Sequence, residues 1–389
     1  MPGYEVIGKE ERDAVNDVFD RGAILCRYGN NEKRSNIFKV DEFEKNFAEK
    51  FNVKHSLAVS SGTAALKTVL TILGVEPGDE VITQSHTFIA TVEAIIETGA
   101  KPVITDINKT LNMDPEDLKE KITEKTKVII PVHMAGVAAQ MKEILSIAKK
   151  HDIYILEDNA QSPGGEYNGA KLGTLGDAGI FSFDFGKMLT TGEGGMIVTN
   201  DDHIFKKCRE YADHGHELNQ NFPRGRDTRS ISGFNFKMME LQGAIGLEQI
   251  KKLDYVLQRH RENKKLLKDG ISDIKNIEFR EIPNPRGDIG DSLTILLENN
   301  KKAERFVKSW IEKGYFTKNL PDAINWHFAG TWDHIFHKYE EYEEKNLLEL
   351  WKKSNDLLCR SIALPLCIKM SESDIKVMIS SIKEIIKKI

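Results

Sequence analysis

From about residue 41 to residue 250, short apolar runs alternate with helical repeats, and this alternation restricts the chain more than any other feature. In VDEFEKNFAEKFN the residues Val40, Phe43, Phe47 and Phe51 recur at helical spacing. HSLAVS then reads as a short strand, TAALKTVLTILG as a helix closing on Gly74, and PGDEVITQS as a turn and a strand. FIATVEAIIETG is a second helix ended by glycine, and KPVITDI, KVIIPVH, YILEDNA, AGIFSF and GGMIVTN are further apolar runs rich in β-branched residues. Strands separated by helices of about 10–15 residues pair mostly in parallel with both faces covered, so the expected fold class is α/β. Ligands of such sheets sit beyond the carboxyl ends of the strands.

The texture changes after GLEQIKKLDYVLQRHRENKKLLKDGI, a long charged helix whose Ile250, Leu253 and Leu257 suit a helix that joins domains. Pro283, Asn284, Pro285 and Gly287 punctuate the next stretch, and a more polar α+β remainder runs to Ile389. A length of 389 residues suggests two or three domains. The boundary is expected near 251–260, giving a large domain over 1–250 and a smaller one over 251–389.

Lys and Arg number 55 against 60 Asp and Glu, a net charge of −5, which offers no basic face for nucleic acid. No apolar run approaches the ~20 residues of a bilayer span, and MPGYEVIGKEER carries no apolar signal core, so a soluble cytoplasmic protein is expected. Cys26, Cys208, Cys359 and Cys367 are scattered without metal spacing and read as reduced, mostly buried thiols; no metal site is expected.

Three segments carry chemistry. Ser60-Ser61-Gly62-Thr63-Ala64 lies between a strand and a helix, where glycine lets an anion approach the first helical amides and Thr63 adds a hydroxyl. An ordinary helix cap has the same composition. Leu156-Glu157-Asp158-Asn159-Ala160-Gln161 ends a strand, and an ionised Asp158 there suits a protonated heterocyclic nitrogen, or else caps the following helix. Lys187 sits between the strand ending in Phe181-Ser182-Phe183 and the glycine-rich Thr191-Gly192-Glu193-Gly194-Gly195. An amine that traps an aldehyde must lose its proton, which requires surroundings that lower its pKa from ~10.4. Taken alone, Lys187 is a surface lysine. Together the three segments supply a phosphate cradle, a partner for a pyridine nitrogen and an aldehyde-trapping amine, the minimum set for pyridoxal 5′-phosphate.

With SSGTAAL (60–66), PGDEVI (77–82), HTFIATVEAI (86–95), PVHMAG (131–136), LEDNAQS (156–162), GTLGDAGIFSF (173–183), GKMLTTGEGG (186–195) and GFNFKMMELQGAIGLEQIKKLD (233–254), the chain resembles the DegT/DnrJ/EryC1/StrS family of pyridoxal phosphate-dependent sugar aminotransferases. That resemblance implies fold type I, as in aspartate aminotransferase, with a mostly parallel mixed sheet in the large domain. It also implies a homodimer with shared active sites. In it Lys187 binds the cofactor and shuttles the proton, Asp158 holds the pyridine nitrogen and Gln161 lies by the ring hydroxyl. Gly62, Thr63 and Ser182 hold the phosphate, Phe88 stacks on the ring, and Asn235 reaches the phosphate of the other subunit. Members with histidine at the lysine position are dehydratases, so Lys187 implies amino transfer. Asp184-Phe185 stands where many relatives carry His-Pro or similar.

MPGYEVIGKEE (1–11), CRYGNNEKRSN (26–36), ADHGHE (212–217) and NWHFAGTWDHI (325–335) resemble family members that aminate a free acidic sugar. The substrate implied is 8-keto-3,8-dideoxy-manno-octulosonate, giving the 8-amino sugar of lipopolysaccharide biosynthesis, with glutamate as donor. Arg27, Arg34, His214, His216, Arg226, Arg229 and His327 are then candidate cations for its carboxylate, each equally readable as a solvated charge. Trp326 and Trp332 are expected to pack between domains. A nucleotide-linked keto-deoxy sugar is the alternative acceptor, and a non-catalytic cofactor-binding sensor is the alternative from another class.

Overall fold

A computed structural model describes residues 3–219 and 221–389, so the first two residues of MPGYEVIGKEE lie outside the described residues. Helices α1 (Lys9–Asp20) and α2 (Lys39–Phe51) precede the sheet. The apolar stripe of α2 is buried as its spacing predicts: Val40, Phe43, Phe47 and Phe51 are all at most 1% exposed. Phe47 stacks on Phe51 at 4.2 Å and meets the ring of Phe181 edge-on at 4.9 Å. Burial of each such ring stabilises by about 1.5–3 kcal/mol. The helix stops at Asn52, which takes the left-handed conformation at φ 51°.

The main sheet contains β1 (His55–Val59), β2 (Glu80–Gln84), β3 (Lys101–Thr105), β4 (Thr126–Ile130), β5 (Tyr154–Asp158), the small hairpin strands β6 (Glu166–Tyr167) and β7 (Ala170–Lys171) lying apart from it, then β8 (Ala178–Ser182) and β9 (Gly195–Thr199). Its order is β1-β9-β8-β5-β4-β2-β3. The run from β8 to β3 is parallel, while β9 pairs antiparallel with both β8 and β1. Because β9 alone is reversed, the carboxyl ends of β1, β5 and β8 share one edge with Gly195 at the start of β9, opposite Val59 and Ser182. The return from Ser182 to Gly195 contains no crossover helix, the usual connection between parallel strands, and β9 comes back antiparallel.

Successive strand residues alternate between faces. Val128 and Ile130 join one core with α3 (Gly62–Ile72), α4 (Ile89–Ile96) and, further along the chain, the helix Asp202–Tyr211, whereas Ile129 joins the core opposite. That second core lies under α5 (Pro115–Lys121) and α6 (Met141–His151); the Asp202–Tyr211 helix is α7.

Helix α8 runs unbroken from Glu240 to Ile271, so the expected boundary near 251–260 falls inside it. Leu247, Ile250, Leu253 and Leu257 pack with α2, while Leu267 and Ile271 enter a separate core around β10 (Glu278–Phe279), β11 (Ser292–Leu296) and β12 (Ser361–Pro365). These three form an antiparallel sheet. Helices α9 (Asn300–Glu312) and α14 (Glu372–Lys388) cover one face; between them come α10 (Ile324–His327), α11 (Asp333–Phe336), α12 (Leu347–Leu350) and α13 (Lys352–Leu358). Trp332, Phe336 and Trp351 fill a core with Val92 and Ile104 that ties this region to the main sheet.

The thiols are all free, but only Cys208 is buried, and Cys26 is exposed, against the expectation of mostly buried cysteines. Among the described residues no helix is long and apolar enough to cross a membrane, and no cluster of metal-binding side chains exists.

Candidate active site

The carboxyl edge of the main sheet opens into a cavity of about 370 Å³. Gly62, Thr63, Phe88, Asp158, Gln161, Ser182, Lys187 and His327 all line it. Positions far apart in the chain thus meet at one edge because three strand ends coincide there.

Ser61 caps α3: its backbone is extended and its Oγ accepts from the Ala64 amide at 3.0 Å. Gly62 and Thr63 then begin the helix with amides that have no intrahelical partner, a natural anion site. Gly62 is needed because a Cβ there would stand 3.0 Å from the Ser182 Cβ. Gly195 is needed because a Cβ there would stand 2.4 Å from the Ser61 carbonyl oxygen. The two strand ends therefore meet backbone against backbone, leaving the Ser182 hydroxyl beside the start of α3.

Asp158 is 4% exposed. One carboxylate oxygen accepts from the Thr91 hydroxyl at 2.8 Å and the other from the Ala160 amide at 3.1 Å. Burial pushes its pKa up, against those two donors and the positive charge of Lys187. No cation is in contact with it among the described residues, so it is a buried acid short of a charged partner.

Lys187 is fixed through its backbone: its amide donates to the Asp184 carbonyl at 3.0 Å and its carbonyl accepts from the Gly3 amide at 2.8 Å. Asp184 Oδ1 also accepts from the Gly186 amide at 2.9 Å. Tyr4 stacks on Phe185 at 4.5 Å, so the N-terminal segment braces this loop. Burial pushes the Lys187 amine down, with Asp184 and Asp158 pulling the other way. A lowered amine is what aldehyde capture requires.

Gln161 accepts from the Ala135 amide at 3.1 Å and from Asn319 Nδ2 at 3.4 Å. Phe88 stands at the mouth, 38% exposed, stacked at 6.0 Å on Trp326. Trp332 is buried as expected, and Trp326, although 60% exposed, meets Phe88 of the 1–250 region through that stack. His327 donates from Nδ1 to the Ala323 carbonyl at 2.8 Å, and burial lowers its pKa to about 4, so it is neutral.

The other candidate cations are not brought to this cavity. Arg27 is buried against Glu44, at 2.6 and 2.7 Å, and donates to the Ala58 carbonyl at 3.0 Å. Arg34 is buried near Glu240 at 3.6 Å. His216 contacts Asp227 at 3.3 Å and Arg229 at 2.9 Å. His214 and Arg226 are exposed, as is Asn235, which bridges to Asp213 away from the cavity. Of these candidate cations His327 alone lines the cavity among the described residues: carboxylates hold buried Arg27 and Arg34, and Arg226 and Arg229 are exposed away from it.

Sequence reasoning missed Thr91, Asp291, Lys318 and Asn319, all lining the cavity. Thr91 was legible from HTFIAT as a hydroxyl one turn after Phe88; the other three come from the smaller sheet's region and had no local signal.

The donor set fits pyridoxal phosphate: a helix start and a hydroxyl for phosphate, a buried carboxylate lacking a cation, and an amine kept from its proton. A profile of the DegT/DnrJ/EryC1/StrS aminotransferase family matches residues 6–383. The spore coat polysaccharide biosynthesis protein SpsC of Bacillus subtilis is 33% identical over 98% of this chain and 96% of that protein. The GDP-perosamine synthase of Escherichia coli O157:H7 is 36% identical over 71% of this chain and 73% of that protein. Among solved structures, an aminotransferase from Psychrobacter cryohalolentis superposes with a TM-score of 0.85 at 25% identity, covering 98% of each chain. The chain belongs to the DegT/DnrJ/EryC1/StrS aminotransferase family.

Proposed function

We propose that this protein is a pyridoxal 5′-phosphate-dependent aminotransferase that carries an amino group from glutamate to a keto sugar. The observation that carries the reading is the placement of Lys187 and Asp158 on one cavity wall, each perturbed by burial and each moderating the other. The cofactor supplies the electron sink when bound. Gly62, Thr63 and Ser182 would hold its phosphate, and Gln161 would stand by the ring hydroxyl. Asp158 would hold a proton on the ring nitrogen, with Thr91 favouring the ionised form of Asp158. Lys187 would hold the cofactor and serve as the amine that moves a proton at the substrate carbon. Phe88 would border the ring at the cavity mouth.

The working unit of this reading is a homodimer in the cytoplasm. Phe185, Phe234 and Met239 are exposed apolar groups, and Asn235 lies outside its own chain's cavity, which suits service to the phosphate of the partner. Residues 1–250 and 251–389 are the two domains, supported by the change of core along α8.

Two acceptors fit a keto sugar. A nucleotide-linked keto sugar is favoured by the likeness to GDP-perosamine synthase. The free acid 8-keto-3,8-dideoxy-manno-octulosonate, a lipopolysaccharide precursor, is favoured by a buried cavity cation, Lys318. The deciding test incubates reconstituted protein with glutamate and each sugar in turn and identifies products by mass and NMR. Amination of neither class would refute the reading.

A further inference from the structure

We propose that Lys318, paired with Asp291 on the wall supplied by the smaller sheet's region, takes up a carboxylate of the substrate entering the cavity. This rests on the aminotransferase reading above.

Both side chains line the cavity, although Lys318 is only 5% exposed and Asp291 only 2%. The pair is held rigidly. The Lys318 amide donates to the Ala363 carbonyl of β12 at 2.8 Å, and the Ala363 amide donates to the Leu320 carbonyl at 3.0 Å. Asp291 immediately precedes β11 and accepts from the Ser292 hydroxyl at 3.1 Å while bonding the Lys318 ammonium. A buried ion pair is weak support for a fold, because desolvation offsets most of its attraction. Its position at a cavity wall calls for a ligand.

The placement of the neighbouring cations singles out Lys318. Lys264 pairs with Asp288 at 2.5 Å. Among the described residues buried Arg280 donates to neutral acceptors, the Thr110 carbonyl, the Met134 carbonyl at 2.9 Å and Asn112 Oδ1 at 3.1 Å. Neither Lys264 nor Arg280 lines the cavity; among the described residues its lining amines are Lys187 and Lys318, beside the carboxyl groups of Asp158, Asp184, Glu193 and Asp291, and with Lys187 committed to the cofactor Lys318 is the amine left to meet a carboxylate. Burial weighs against the Lys318 ammonium, Lys187, Lys264 and Arg280 add repulsion, and Asp288 opposes them. A carboxylate bound beside Lys318 would favour the ammonium against that burial. Nζ has three donors and Asp291 is its acceptor here, so donors remain for a carboxylate. Neither the helix start at Gly62 nor Asp158 competes for this group.

The carboxylate has two sources, the amino-acid donor and an acidic sugar. The test uses full-length protein reconstituted with cofactor, as wild type, Lys318→Gln and Lys318→Arg. Succinate serves as an inert probe, read by its protection of Lys187 from borohydride fixation of the cofactor. Glutamate is titrated by bleaching of the yellow absorbance, and the amine-loaded form is then titrated with a sugar acid and with a nucleotide-linked keto sugar. Lys318→Gln is expected to bind cofactor stoichiometrically but to need about 10- to 100-fold more succinate, the cost of losing one charged hydrogen bond. Lys318→Arg is expected to lose less. A weakened glutamate arm assigns the donor carboxylate, and a weakened sugar-acid arm alone assigns the acceptor's; both support the proposal. Unchanged succinate, glutamate and sugar-acid affinities in Lys318→Gln overturn it, as does loss of cofactor by both variants. If wild type fails to bleach with glutamate, the aminotransferase reading falls, while the succinate comparison still decides the role of Lys318.

Discussion

The Thr91 hydroxyl donates to Asp158 Oδ2 at 2.8 Å, and Thr87 Oγ1 lies 2.8 Å from Thr91 Oγ1. With the Thr91 proton committed to the carboxylate, Thr87 donates to Thr91 in competition with the Phe88 carbonyl at 3.3 Å. A hydroxyl relay from α4 therefore favours the ionised form of a carboxyl that burial would neutralise. Thr91→Val is expected to weaken cofactor retention about tenfold or more, the worth of a hydrogen bond to a charged group, and Thr91→Ser to restore it. Equilibrium dialysis of the cofactor checks this; equal retention by Thr91→Val would remove the relay from the mechanism.

Asp158 also costs the empty protein stability. Its folded pKa lies above the ordinary value of 3.8, so in that window the unfolded chain is ionised while the folded chain holds the proton. The contribution to stability is greatest below the ordinary pKa and declines as pH rises through the raised one. Asp158→Asn is expected to raise the melting temperature of cofactor-free protein at neutral pH and to abolish most transamination. Calorimetry of both forms between pH 4 and 8 (roughly the span in which carboxyl shifts act) is the measurement.

Lys187→Ala should leave the fold intact and end turnover. Because burial lowers the Lys187 amine from 10.5, wild-type recombination with cofactor should reach half its maximal rate at a pH below that value. Stopped-flow absorbance gives the profile, and a midpoint at or above 10.5 would contradict the buried setting of the amine.

Gly195→Ala places a Cβ 2.4 Å from the Ser61 carbonyl oxygen, backbone that cannot yield without moving the start of α3. Phosphate affinity should suffer first, seen as cofactor lost on desalting while circular dichroism remains unchanged. Retention at wild-type level would show that α3 is not the phosphate cradle.

Asn235 lies outside its own cavity, so Asn235→Ala should weaken cofactor retention only in the dimer. Mixed with Lys187→Ala subunits, it should recover activity through heterodimers with one intact site. Confirmed subunit exchange without recovery would end the shared-site proposal.

What the sequence by itself determined was periodicity and order. The α2 stripe of Val40, Phe43, Phe47 and Phe51 and the faces of Val128, Ile129 and Ile130 follow from local spacing, because a helix or strand buries side chains at its own repeat. The succession of Gly62, Asp158 and Lys187 at strand ends was legible for the same reason, since parallel strands deliver their carboxyl ends to one edge. Only the tertiary structure decided which charges were spent. By sequence Arg27 was a candidate substrate cation and Lys318 carried no local signal, yet Glu44, 17 positions away, holds Arg27 in the core, while Lys318 meets Asp291 at the cavity 27 positions back. The reversal of β9 and the exposure of Trp326 belong with these. Charge pairing and exposure depend on which distant surfaces pack together, and a chain's local repeat carries no record of that.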